Sequence, residues 1–254
     1  MRREAGILIA CVLLLAAPVR GELSDAEVVM DRLSKVLADL RDVSADVQVQ
    51  TAGRQASGRI VLQYLRRPSD EGDGPKETTR RYIVVTRRKI ADKQVRVRQV
   101  NDGRTLWVEV TYLDTGKVIV TRRGVAGKGA VPGGLGHDWR SELKQLRRRY
   151  VFKTVGEGRS YDEPVVLLEG RLRELPPEEK TENGKAVTWP ERVTLAVSKR
   201  DHFPRKVTLV VRPGEGRRSV TVAVTLTGVK VNAGLKADTF DYRVPAGATV
   251  KDVE

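Results

Sequence analysis

Two histidines, one cysteine and many scattered carboxylates are the residues from which any catalytic chemistry in this chain would be built. His137 and His202 stand far apart, each in a turn-like stretch, and neither belongs to a two-histidine zinc motif on a helix. There is no glycine-flanked serine elbow and no Asp-rich calcium loop. The stretch Gly124–Gly129 has the glycines of a phosphate loop, but Lys128 is followed by Gly129, where Ser or Thr would be needed to hold magnesium. The acidic residues show no spacing that pairs two of them for general acid–base work. Cys11 lies inside an apolar N-terminal run, so a mature chain lacking that run would have neither disulfide nor thiolate chemistry. The expectation is a protein that is not an enzyme, with no catalytic residues, no metal ligands and no cofactor.

The same N-terminal run sets the expected compartment. Arg2 and Arg3 precede an apolar segment from Ala5 to Val19, the length of a secretory signal core and short for a bilayer span. Ala16, Ala17 and Gly21 are small enough for processing, so residues 1–21 are read as a signal peptide cut after Gly21. An uncleaved anchor is the alternative. Leu8-Ile9-Ala10-Cys11 resembles a lipoprotein-processing box, but few apolar residues precede it. Residues 22–254 are then one exported, periplasmic domain, long enough to bury its own core.

That domain is strongly basic: 47 Lys+Arg stand against 33 Asp+Glu in the full chain, a net charge of +14. For an exported protein an anionic membrane surface is a more accessible partner than nucleic acid, and no nucleic-acid partner is expected. The cations fall in short clusters, Arg66-Arg67, Arg87-Arg88-Lys89, Arg122-Arg123, Arg147-Arg148-Arg149 and Arg217-Arg218, mostly at the ends of apparent strands. There they also discourage edge-to-edge pairing.

The elements follow from hydrophobic period. Ser24 and Glu27 fit a capping box, and Ala26, Val29, Met30, Leu33, Val36, Leu37 and Leu40 recur at helical spacing, which predicts an opening helix with one apolar stripe. From Ser44 the period changes to two. Strands are predicted at Ala45–Val49, Gly58–Leu65, Arg81–Thr86, Gln94–Val100, Thr105–Tyr112 and Lys117–Thr121, with tight turns at Asp102-Gly103 and Asp114-Thr115-Gly116. Asp138 can cap a second helix bearing Trp139, Leu143, Leu146 and Tyr150 on one face. Further strands follow at Val151–Val155, Val165–Leu172, Val193–Val197, Lys206–Val211 and Ser219–Leu226. Roughly ten mostly antiparallel strands and two helices make a mainly β, α+β chain whose large sheet should curl.

Several motifs, in order, resemble the LolA-type outer-membrane lipoprotein carrier family. They are Val43-Ser44-Ala45-Asp46-Val47-Gln48-Val49-Gln50 after the opening helix, Gly58-Arg59-Ile60-Val61-Leu62 leading to Arg67-Pro68, and Asn101-Asp102-Gly103-Arg104-Thr105-Leu106-Trp107-Val108. Val231-Asn232-Ala233-Gly234-Leu235 follows near the end, and Phe240-Asp241-Tyr242-Arg243-Val244-Pro245 is similar to the family's closing strand. The resemblance covers nearly all of the mature chain. It implies an incomplete β-barrel closed by helices, holding acyl chains between sheet and lid. It also implies that Arg67, the arginine before the strand-ending proline, helps to hold the lid shut. Here Arg67-Pro68 opens a long polar loop instead of passing quickly into the next strand, and the family's final extra strand is expected to be missing.

The function expected is therefore a periplasmic carrier or binding protein for lipoproteins or lipids. Its partners would be a lipid or lipidated protein cargo and inner- and outer-membrane transport components. The expected cavity face is Leu106, Val108 and Val110 on one strand, Val207, Leu209 and Val211 on a second, and Val220, Val222, Val224 and Leu226 on its neighbour, with Arg67, Leu33 and Leu37 as lid contacts. By alternation Trp107 falls on the opposite face, as a packing residue. The alternative is an envelope sensor or protein-interaction module of the same fold, and a third reading is a membrane-surface protein using its basic clusters. An open cavity favours the first, a filled core the second, and a basic face beside an apolar patch the third.

Overall fold

The computed structural model describes residues 25–51, 54–66, 78–90, 92–124, 139–173, 189–212 and 218–253. The expected signal segment with Cys11, the cap residues Ser24 and Asp138, Arg67, His137 and most of the glycine-rich stretch lie outside the described residues.

Helix α1 (Asp25–Ala38) buries Ala26, Met30, Leu33 and Leu37, a spacing of four, three and four that keeps one stripe facing the protein. Asp25 and Glu27 in its first turn and Lys35 in its last complement the helix dipole. Helix α2 (Trp139–Arg149) buries Leu143, with Trp139 and Leu146 packed partly against the core. Tyr150, expected on this helix, instead opens a strand. The run Tyr150-Val151-Phe152 is aromatic and β-branched, and it pairs Tyr150 with Leu172.

Twelve strands, among the described residues, form one sheet: β1 (Asp42–Thr51), β2 (Arg54–Arg66), β3 (Thr78–Ile90), β4 (Lys93–Asn101), β5 (Thr105–Tyr112), β6 (Val118–Gly124), β7 (Tyr150–Ser160), β8 (Glu163–Leu172), β9 (Arg192–Ser198), β10 (Pro204–Val211), β11 (Val220–Val231) and β12 (Thr249–Asp252). Their spatial order is β12-β6-β5-β4-β3-β2-β1-β11-β10-β9-β8-β7, so the sheet is open at β12 and β7 and does not close into a barrel. Every neighbouring pair is antiparallel except β12 with β6.

The hairpin turns use the expected residues. Asn101 Oδ1 accepts from the Gly103 N–H at 2.7 Å, Asp102 Oδ1 accepts from Arg104 and Thr105 at 2.8 Å, and Gly103 takes φ 94°. Gly58 has a different reason. A Cβ there would stand 1.9 Å from the carbonyl oxygen of Val85, so the β2–β3 approach leaves no room for a side chain.

Two expectations for the C-terminal segment need correction. Phe240–Pro245 is not a strand: a 3₁₀ turn at Ala237–Phe240 leads into irregular chain. A strand does close the chain, because Thr249–Asp252 pairs parallel to β6 as β12. With all four of its residues exposed, hydropathy gives it no signal, and parallel pairing to a distant strand leaves no turn signature.

Candidate site: a lidded aliphatic face

The face of the sheet under the helices is aliphatic in register. Val43, Ala45, Val47 and Val49 of β1 project to one side, opposite Leu62, Ile60, Gly58 and Ala56 of β2. Across β11 and β10, Val224 pairs with Val49 and Val207, while Val222 pairs with Thr51 and Leu209, and Val220 with Val211. The stripe of α1 lies on this face. Met30, Leu33 and Leu37 belong to one core cluster with Val47, Leu106, Leu168, Leu195 and Leu226.

The ten expected cavity residues divide into three groups. Leu106 and Leu226 are 4% and 5% exposed and lie within the core. Val108, Val207, Leu209 and Val224 are half-buried and pack against it. Val110, Val211, Val220 and Val222 are also half-buried, but stand outside the packed cluster. The aliphatic rows therefore continue past the part that the helices fill. Leu33 and Leu37, expected as lid contacts, are buried on the inner side of α1.

The two helices are tied to the sheet by a residue that the sequence reading missed. Arg140, in the first turn of α2, donates from Nε to the Leu37 carbonyl and from Nη2 to the Leu40 carbonyl, both at 2.6 Å. These carbonyls belong to the C-terminal turn of α1 and the residues just after it, where helical acceptors run out of partners. Its guanidinium also lies 4.7 Å from the centre of the Tyr64 ring on β2, so one side chain joins both helices to the sheet. Farther along, Arg147 pairs with Asp31 at 2.7 Å and donates to Ser34 Oγ at 3.0 Å. At the other end Trp139 packs on Phe203, with ring centres 5.1 Å apart. Between the helices lies an open cleft of about 370 Å³, with Leu37 and Leu143 as its apolar wall and Arg140, Lys144 and Arg147 among its lining residues. Where α2 ends, Tyr150 donates to the Pro190 carbonyl at 2.7 Å, and burial pushes its phenol up to about 12.

Over β3–β5 the opposite face carries the C-terminal segment. Phe240 is fully buried, and Tyr242 stacks on Trp107 with ring centres 5.1 Å apart. Tyr242 also donates at 3.0 Å to Glu109, a carboxylate only 3% exposed. Burial, and then the hydrogen bond to Glu109, raise the Tyr242 phenol well above its ordinary value. Alternation placed Trp107 on this face, but no local signal links Glu109 to a tyrosine 133 positions away. Of the histidines, His202 sits in the β9–β10 turn with φ 54°, its N–H donated to the Ser198 carbonyl.

The architecture defines a class: a mostly-β chain with a single open sheet carrying two helices on one face. Solved structures to which the chain is similar include the MucA/MucB complex of Pseudomonas aeruginosa, at 16% identity and a TM-score of 0.45, covering 87% of this chain and 62% of that one. They also include LprF of Mycobacterium bovis (13% identity, TM-score 0.47, 82% of this chain and 93% of that one). A LolA superfamily protein of Nitrosomonas europaea is a third (12% identity, TM-score 0.29, 87% and 99%). These likenesses concern the fold alone. The chain spans less than two thirds of the MucB chains that it matches. No family model and no curated protein matches the sequence. Among the described residues, no helix is long and apolar enough to cross a membrane.

Proposed function

We propose that this chain is a periplasmic binding or carrier protein for lipids or lipid-modified proteins, whose acyl chains it takes onto the inner face beneath α1 and α2. The observation that carries this reading is the continuity of the aliphatic rows, from the packed core out to half-exposed Val110, Val211, Val220 and Val222. Uptake would require α1 to lift, and the energies of the exchange are of similar size. Uncovering Met30, Leu33 and Leu37 costs roughly 5–9 kcal/mol at about 1.5–3 kcal/mol per side chain, and an acyl chain returns about 0.8 kcal/mol per buried methylene. A chain of about eleven methylenes would therefore offset the displaced stripe and still leave. Arg140, with hydrogen bonds to α1 that no acyl chain can replace, sets where the lid closes. Arg67, expected to hold the lid, belongs to the same proposal as a second fastening.

Uptake of a fluorescent fatty acid, measured beside thermal stability, tests the reading. Val222→Gln should weaken uptake tenfold or more with little loss of stability, because a solvent-reachable site lets the amide keep its water. In a filled core the same amide would cost about 1–3 kcal/mol for want of partners. A wild-type protein that takes up no probe would refute the proposal. A second reading, an envelope sensor or protein-interaction module, is favoured by the close packing under α1, where Leu33 and Leu37 are only 2% and 4% exposed. Binding of a protein partner without any acyl uptake would select it.

A further inference from the structure

The corner where α2 runs directly into β7 gathers exposed cations and exposed valines. Arg148 ends the exposed side of α2, and three residues later Val151 is 44% exposed on the sheet's edge strand. Register places Arg171 of β8 opposite Val151, and Arg192 of β9 opposite Arg171, so the three stand side by side on one face. Lys153 lies on the same side of β7, opposite Glu169. The Arg173 N–H bonds to the Arg149 carbonyl at 2.9 Å, which holds Arg173 at the same corner. Val155, at the β7 bulge, is 55% exposed.

Charge on this corner is poorly neutralised. Glu169 contacts both Arg171 (2.9 Å) and Arg192 (3.7 Å), and the neighbouring Glu191 is taken by Arg212 at 2.7 Å. Arg148, Lys153 and Arg173 have no ion pair among the described residues. Cations set around solvent-exposed valines on a sheet edge match a surface that is anionic outside and apolar just beneath.

We propose that this corner is a docking surface for an anionic lipid bilayer, with phosphate head groups meeting the cations and Val151 and Val155 entering the interface. Each Lys or Arg near such a surface contributes about 1 kcal/mol, so a handful gives reversible, salt-sensitive attachment. The inference goes beyond acyl binding and does not depend on it.

Co-sedimentation of the full chain with phosphatidylcholine vesicles, with and without phosphatidylglycerol, is the test. Binding is expected only to the anionic vesicles and is lost at high salt. The pair Arg148→Glu and Lys153→Glu should weaken it roughly a hundredfold or more. A control pair with the same change in charge, Arg87→Glu and Arg88→Glu, is also exposed but lies on β3, seven strand positions from β7. It should stay within about threefold of wild type, since charges beyond a Debye length are screened. Circular dichroism of both pairs shows whether the fold is kept. Absence of binding to anionic vesicles at low salt, or equal weakening by the two pairs, would overturn the proposal.

Discussion

Replacing Arg140 by alanine removes a side chain that bonds the carbonyls of Leu37, in the last turn of α1, and Leu40, just after it, and touches the sheet at once. Two hydrogen bonds from a charged donor contribute about 1.5–3 kcal/mol each, and a cation over a ring about 0.5–1 kcal/mol. Arg140 is half-buried, and water can reach the vacated carbonyls, which reduces the sum to about 3 kcal/mol. If that energy holds α1 down, the loss should fall on opening of the helix. Amide hydrogen exchange in α1 should then speed up about a hundredfold while exchange in β9 and β10 changes much less. Arg140→Lys keeps the charge but cannot span both carbonyls, so it should recover about half of the protection. Acyl-probe uptake should become faster in the alanine variant. Equal protection of α1 in wild type and Arg140→Ala, with a stability difference below about 0.5 kcal/mol, would refute the fastening role.

Other perturbations test the scaffold around the site. Gly58→Ala places a Cβ against the Val85 carbonyl and should break the β2–β3 ladder, seen as loss of soluble, β-type protein by circular dichroism. Gly170→Ala meets the Phe152 ring first, at 2.6 Å, which can turn aside, so a cost of about 1–3 kcal/mol in denaturant unfolding is expected. Phe240→Ala empties a fully buried socket and should cost about 3–5 kcal/mol. Burial pushes the Asp201 carboxyl up, but donors from Arg205, Phe203 and Ser198 outweigh it and hold the carboxyl below its ordinary value. Its contribution to stability is therefore present above about pH 4 and lost as pH falls through the lowered value, so Asp201→Asn should flatten the acid side of the melting-temperature profile.

How far the sequence could be read depends on the range of the signal. The α1 stripe, the Asn101–Thr105 turn and the β10–β11 hairpin rest on neighbours a few residues apart, and their side chains report their surroundings directly. Spacing predicts Tyr150 on the helix, yet its pairing with Leu172 puts it on β7, as tertiary context often overrides a one-turn periodicity. β12 and the Tyr242–Glu109 bond had no local signature, since each joins residues more than a hundred positions apart. The cavity face was legible as a face but not in depth. Alternation puts Leu106 and Val110 on the same side of β5, but not the fact that the first is buried in the core while the second stands clear of it.

That difference in depth bears on how a lid can be both secure and movable. The stripe of α1 adheres through burial of aliphatic surface, which has no directional requirement, so any hydrocarbon of similar area can take its place. A lid held only in this way would have no defined closed position, and each apolar ligand would leave it somewhere different. Arg140 supplies the missing direction. Its two bonds need the carbonyls of Leu37 and Leu40 at one distance and angle, so on the proposed reading lifting α1 would break the bond to Leu37. Arg147 repeats the arrangement seven residues on, against Asp31 and Ser34. The polar pairs would then fix the closed state and the valines the strength of the competitor. Altering Arg140 should shift the lid equilibrium for every ligand alike, whereas altering Val222 or Leu209 should change the ranking of ligands by chain length.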